Sequence, residues 1–168
     1  MIELVQLPAL AIHALADGDL VAANRAAPVT LSPFFVDVGD SGVWRMRSSQ
    51  ITAYPASATW ITGAIWDVDR RVTVGRAGYH GPPDALGLVE VGYAVDPACR
   101  RQGYARAALE ALLARAAREP SVRIVRATIT PGNRASRALV AQYGFVEVGE
   151  QIDDEDGLET IFEVRAPV

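Results

Sequence analysis

Val95-Asp96-Pro97-Ala98-Cys99-Arg100-Arg101-Gln102-Gly103-Tyr104-Ala105-Arg106-Ala107-Ala108 is the stretch that decides the fold. It begins where a β-prone run, Gly87 to Val95, is stopped by Asp96-Pro97. It ends inside a helix, because Ala105, Ala108, Leu109, Leu112, Leu113, Ala116 and Ala117 recur at three- and four-residue spacings before Pro120. A strand that turns through a short glycine-containing loop into a helix presents the unpaired N–H groups of the first helical turn, with their partial positive charge. Such a corner suits phosphate. Gly103 lets the backbone approach an anion closely, and Ala105 is too small to block it. Arg100, Arg101 and Arg106 add formal charge around the turn. Together these residues point to a ligand that carries a diphosphate.

Working outward, residues 8–26 predict one or two short helices, broken at Asp17-Gly18-Asp19, with Asp17 or Asp19 capping the second. Residues 27–58, rich in Pro, Ser and Gly, predict irregular, loop-dominated structure. Trp60 to Trp66 and Val72 to Gly75 are β-prone runs joined by a turn at 67–71, and Gly78 to Asp84 predicts a loop. Beyond the decisive helix, Val122 to Thr130 predicts a strand. Asn133 to Gln142 predicts a helix capped by Asn133, with Gly144 on its C-terminal side. Phe145 to Ile152 and Leu158 to Val164 then form a hairpin around the acidic turn 153–157. The order is a helix-rich start, three strands, helix, strand, helix and two strands. That alternation predicts a mixed α/β sheet in one domain over 1–168, with its core at 60–164 and a divergent helical and loop segment at 1–58.

Composition narrows the function. Of 168 residues 50% are hydrophobic and 21% charged, which excludes a disordered chain. One cysteine, Cys99, excludes an internal disulfide framework, and His13 and His80 are too far apart for a zinc-ligand spacing, so no metal is expected. All sixteen basic residues are arginine, which removes a Schiff-base lysine and the Walker A lysine, and no Gly-x-Gly-x-x-Gly occurs. The formal net charge of −4 averages unequal segments: −4 over residues 1–99, +7 over 100–137 (nine arginines against two glutamates) and −7 over 138–168. The basic block argues against nucleic acid as a partner, since many of its arginines share one helix face, its flanks are acidic and aromatic interleaving is missing. Leu4 to Ala16 mimics a signal peptide but lacks a positive n-region, carries Glu3 and is interrupted by Pro8. Ser48 to Trp66, the longest uncharged run, is too polar to span a bilayer. A cytoplasmic protein with no membrane partner is expected.

Arg100-x-x-Gly103-x-Ala105, after a strand ending Tyr93-Ala94-Val95-Asp96-Pro97, resembles the acetyl-CoA signature of the GNAT superfamily of N-acetyltransferases. Downstream, Asn133-x-x-Ser136-x-x-Leu139-x-x-x-Tyr143-Gly144-Phe145 is similar to the family's Asn-x-x-Ser and Gly-Phe segment. Upstream, Gly87-x-x-Glu90-Val91-Gly92-Tyr93 resembles the branch that includes ribosomal-protein N-terminal acetyltransferases. The three motifs lie in order over residues 87–145.

The resemblance implies a mostly antiparallel mixed sheet, splayed around the coenzyme and flanked by helices. It implies acetyl-CoA as co-substrate and direct attack by an amine on the thioester, without an acyl-enzyme. The backbone at Tyr93, Ala94 and Val95 would bond the pantetheine arm and polarise the thioester carbonyl. Arg101 and the main chain of Gln102, Gly103, Tyr104, Ala105 and Arg106 would hold the diphosphate, and Asn133 would contact the coenzyme near the pantetheine. Glu90 is the candidate base and Ser136 the candidate acid. Two positions depart from the familiar pattern: Val140 stands where many relatives carry an acidic tyrosine, and Thr128 where some carry a glutamate.

Plainer readings stand beside these. Glu90 is either a base or a carboxylate ion-paired with an arginine. Ser136 is an acid, a group that orients the thiol, or a residue of a capped helix turn. Tyr143 reads as core, Cys99 as a passive small residue, and Trp44, Trp60 and Trp66 as core or pocket walls. His80, in a Gly/Pro loop before the catalytic strand, is a candidate for lining the acceptor pocket. The expected function is acetyl transfer to a small-molecule or peptide amine. The alternative is a GNAT-fold acyl-CoA-binding sensor or interaction module, which Val140 and Thr128 motivate. A homodimer is left open.

Overall fold

The computed structural model describes residues 1–37, 41–154 and 157–166. Along them run β1 (Ile2–Val5), α1 (Ala9–Ala16), α2 (Leu20–Ala26), α3 (Ser41–Ala53), β2 (Gly63–Asp67), β3 (Val72–Tyr79) and β4 (Leu88–Val95). There follow α4 (Tyr104–Ala116), β5 (Ile124–Ile129), α5 (Arg134–Ala141), β6 (Val146–Asp153) and β7 (Gly157–Arg165). Short 3-10 turns occupy Pro33–Val36, Pro55–Thr59 and Pro97–Cys99. The architecture is α/β, and the strands form mixed, mostly antiparallel ladders. The chain divides into two compact units, Met1–Pro82 with Gly92–Ala111, and Pro83–Val91 with Leu112–Val168. β4 and α4 each run from one unit into the other.

In the first unit the strand order is β1-β2-β3 followed by the second half of β4. β1 lies antiparallel to β2 from Ile2↔Asp67 to Val5↔Ala64, and β2 antiparallel to β3 from Gly63↔Ala77 to Asp67↔Val72. The helices bury one stripe each: Ala11, Ile12 and Leu15 from α1, Ala23 from α2, Trp44 and Ile51 from α3. They share one apolar cluster with Leu7, Leu31, Phe34, Phe35, Ile61 and Ala64. Trp44 stacks on Phe35 at 5.8 Å between ring centroids. His13 Nδ1 and Ser48 Oγ, 2.7 Å apart, join α1 to α3. α2 starts where the sequence predicts, because the Asp19 carboxylate accepts the Ala22 N–H at 2.8 Å.

Four boundaries differ from the sequence-based expectation. Residues 27–58 are not loop-dominated, because α3 fills 13 of them. Its Ser, Gly and Thr residues have weak helix propensity, and Arg47 interrupts the apolar stripe of Trp44 and Ile51 at spacings of three and four, so the period is masked. The chain also starts with a strand, β1, ahead of the helical stretch 8–26 and where the sequence predicts no element. β2 begins at Gly63, and Ile61 makes only an isolated bridge to Tyr79. β3 extends through Tyr79, past the Gly78 at which a loop was expected.

In the second unit the order is the first half of β4, then β5, β7 and β6. β4 and β5 pair in parallel from Leu88↔Ile124 to Glu90↔Arg126, while β5–β7 and β6–β7 are antiparallel. Strand alternation divides β5: Val125, Ala127 and Ile129 are buried, and Arg126 and Thr128 share the other face. On that face Arg126 forms an ion pair with Glu163 at 2.6 Å. Arg137 anchors α5, since its Nη1 donates to Thr160 Oγ1 at 2.9 Å and its guanidinium lies 5.1 Å over the Phe162 ring. The closing hairpin is present, but Glu155 and Asp156 of its acidic turn lie outside the described residues.

Truncation separates a structured α3 from a loop. Trp44→Ala is expected to cost about 3–5 kcal/mol in denaturant unfolding, the usual range for a buried tryptophan. Tyr54→Ala, just beyond the helix and 71% exposed, should change stability by less than about 0.5 kcal/mol.

Candidate active site

The corner after β4 is built by local hydrogen bonds. Asp96 caps the 3-10 turn by accepting the Ala98 N–H at 2.9 Å, and Arg100 Nε donates to the Val95 carbonyl at 3.3 Å. The chain then enters the left-handed region twice, at Arg101 (φ 64°) and Gly103 (φ 85°). A Cβ on Gly103 would meet nothing within 4 Å, so backbone conformation, not space, calls for glycine there. Arg101 takes a left-handed φ with a full side chain, a mild strain of the kind that persists where surroundings enforce it. The Ala107 N–H donates to Gly103 O at 3.0 Å, so the N–H groups of Tyr104, Ala105 and Arg106 precede the α4 ladder. The Arg100, Arg101 and Arg106 side chains are exposed beside them. First-turn N–H groups outside the helical ladder, a helix of 13 residues and nearby guanidinium groups fit a diphosphate.

Tyr104 turns its side chain away from solvent. Its hydroxyl donates to Asp67 Oδ2 at 2.6 Å and accepts from Arg70 Nη1 at 3.1 Å. The same Nη1 donates to Gln102 Oε1 at 3.1 Å. Asp67 is fixed in turn, because its Oδ1 accepts the N–H groups of Asp69 and Arg70 at 3.0 and 3.1 Å. The Tyr104 hydrogen bond, helped by the Arg70 N–H, holds the Asp67 carboxyl below its usual range. Tyr104 is correspondingly pushed up, chiefly by Asp67. Arg70 and Asp67 carry no signal in the sequence beyond lying in the β2–β3 turn.

The first unit also places His80. A Cβ on Gly92 would lie 2.9 Å from His80 Nε2, so the imidazole rests against β4 one residue before Tyr93. Its carbonyl accepts Gln50 Nε2 at 2.7 Å and Arg47 Nη1 at 3.1 Å. Arg47, 4% exposed, also reaches Thr62 Oγ1 at 3.2 Å and Gln50 Oε1 at 2.9 Å. Arg47 and Gln50 carry no sequence signal apart from the spacing Trp44, Arg47, Ile51 within α3.

In the second unit Glu90 Oε1 accepts the Thr128 hydroxyl at 2.6 Å, between the buried Val89 and Val91. Thr128, one of the two departures, thus bonds directly to the candidate base. Asn133 caps α5, its Oδ1 accepting the Ser136 N–H at 3.1 Å, which leaves the Asn133 amide N–H groups and the Ser136 hydroxyl for other work. Val140 is fully buried, and Tyr143 lies beyond the end of α5. Cys99 is a half-buried free thiol. Among the described residues no group of three or more His, Cys, Asp or Glu could hold a metal ion, and no helix is long and apolar enough to cross a membrane. An apolar hollow of about 470 Å³ beside Leu7, Pro8, Ala26 and Pro28 contains none of the expected site residues.

The depressed Asp67 sets a pH dependence. A carboxyl whose folded pKa is lowered adds stability that is present above the ordinary aspartate value and is lost as pH falls through the folded one. The Tm of the native protein should therefore fall more steeply with acidification below about pH 4 than that of Tyr104→Phe, in which the bond is removed. Parallel acid limbs would show that the bond is not formed.

Residues 14–146 match the family model described as an acetyltransferase (GNAT) domain. No curated protein sequence is a significant match. Among solved structures the chain is similar to a ribosomal-protein-alanine acetyltransferase from Vibrio fischeri, with 17% identity, 98% of this chain and 92% of that one covered, and a TM-score of 0.63. It is similar to mutant forms of a spermidine/spermine N-acetyltransferase from Vibrio cholerae at 13% identity, 99% and 95% coverage, and a TM-score of 0.67. A phosphinothricin acetyltransferase from Sinorhizobium meliloti in complex with acetyl-CoA matches at 16% identity, 99% and 88% coverage, and a TM-score of 0.62. These identities show a shared fold, and the family match extends over most of the chain, including the corner at Arg100–Ala105: the protein belongs to the GNAT family of N-acetyltransferases.

Proposed function

We propose that the protein moves an acetyl group from acetyl-CoA to a primary amine by direct attack. The observation that carries this is the corner after β4, where two left-handed residues lead into the open N-terminus of α4 within a GNAT chain. Acetyl-CoA, when bound, supplies an activated acetyl thioester. The main-chain N–H groups from Gln102 to Arg106, with Arg101, hold its diphosphate. The backbone at Tyr93, Ala94 and Val95 bonds the pantetheine arm, and an N–H there polarises the thioester carbonyl. Asn133, through the amide group not used in capping, contacts the arm.

Glu90 takes a proton from the incoming ammonium, directly or through water, so that the amine reaches the thioester neutral. Its hydrogen bond from Thr128 holds the carboxylate in one orientation. Ser136 serves the departing sulfur, as proton donor or as the group that orients it. His80 lines the acceptor side, set against Gly92 by Arg47 and Gln50. The acceptor is a small-molecule or peptide amine, and residues 8–58 carry its specificity.

The test is thiol release from acetyl-CoA in the presence of a mixed library of peptides, polyamines and small amines. Turnover with one class is expected, with kcat falling by about a hundredfold or more in Glu90→Gln, the usual contribution of a general base. Full turnover in Glu90→Gln would remove the base assignment. Coenzyme binding with no thiol release for any acceptor would favour the second reading, a GNAT-fold acyl-CoA-binding module, to which Val140 and Thr128 point.

A further inference from the structure

We infer that the β2–β3 turn is a working part of the coenzyme site, with Asp67 and Arg70 as positioning residues for the loop that takes the diphosphate. The inference rests on the acetyl-CoA reading above and adds residues from a separate element. Four consecutive residues alternate in character. Arg101 and Gly103 take left-handed backbone, which a free loop leaves readily. Gln102 and Tyr104 are tethered, both to Arg70 Nη1 at 3.1 Å, and Tyr104 also to Asp67 at 2.6 Å. Each left-handed residue is thus followed by one whose side chain is tethered to the β2–β3 turn.

The tether is itself braced. Asp67 ends β2, paired with Ile2 on one side and Val72 on the other, and accepts two main-chain N–H groups of its own turn. It therefore brings a rigid sheet end to the start of α4. Arg70 is exposed and gives one nitrogen to both bonds, so its guanidinium bridges a loop side chain and a buried phenol. Pre-setting the loop removes the ordering cost that an anion would otherwise meet on binding. Neither Asp67 nor Arg70 needs to touch the ligand.

Calorimetric titration with acetyl-CoA and with S-acetylpantetheine, which keeps the arm and thioester but lacks the diphosphate, separates this role from general destabilisation. For both Arg70→Ala and Tyr104→Phe the acetyl-CoA dissociation constant should rise about tenfold, as for a lost hydrogen bond to a charged group. Affinity for S-acetylpantetheine should stay within about twofold. Arg70→Ala leaves the buried Tyr104–Asp67 bond in place and so guards against a fold defect. Equal weakening for both ligands, or unchanged acetyl-CoA affinity in both variants, overturns the assignment. Wild-type protein that binds neither ligand would instead overturn the acetyl-CoA reading beneath it.

Discussion

The hydrogen bond from the Tyr104 hydroxyl to Asp67 joins the first residue of α4 to the last residue of β2. A helix N-terminus attracts anions wherever it occurs, but its N–H groups point usefully only if the preceding loop is held. Here the holding force comes from a side chain inside the signature itself. Tyr104 occupies a position whose main chain belongs to the proposed anion site and whose ring belongs to the core. On that proposal the same residue serves fold and function through different atoms.

The second unit uses strand alternation to the same end. On β4 and β5 Val89, Val91, Val125 and Ala127 are buried, and Glu90, Arg126 and Thr128 alternate with them on the opposite face. A carboxylate at Glu90 is tolerated because Thr128, two residues beyond its register partner Arg126, reaches it with a hydroxyl. Arg126 is taken by Glu163. The polar face is thus composed of matched pairs, and Glu90 is held in a neutral-hydroxyl contact there.

Much of the fold was legible because its signals are local. The period of α4, the Asn133 and Asp19 caps, and the hairpin pattern of β6 and β7 each depend on residues close in sequence, and each appears where expected. What escaped depends on distant partners. α3 is stabilised by Trp44 stacking on Phe35 and by Arg47 reaching Thr62 and His80, none of which a window of weak helix formers reveals. β1 is four residues whose pairing lies more than fifty positions downstream. The proposed coenzyme corner is readable as a motif, whereas the Asp67–Arg70 brace lies over thirty residues upstream of it. For the proposed acceptor side the sequence points to His80 alone, and the residues that hold its carbonyl, Arg47 and Gln50, lie on α3.

A crystal structure of the protein with acetyl-CoA tests the central claim most directly. Diphosphate oxygens are expected within hydrogen-bond distance of the main-chain N–H groups between Gln102 and Arg106, with the Tyr104–Asp67 and Arg70–Gln102 contacts retained. A coenzyme whose diphosphate lies away from that turn, with the first-turn N–H groups of α4 facing only water, would contradict it.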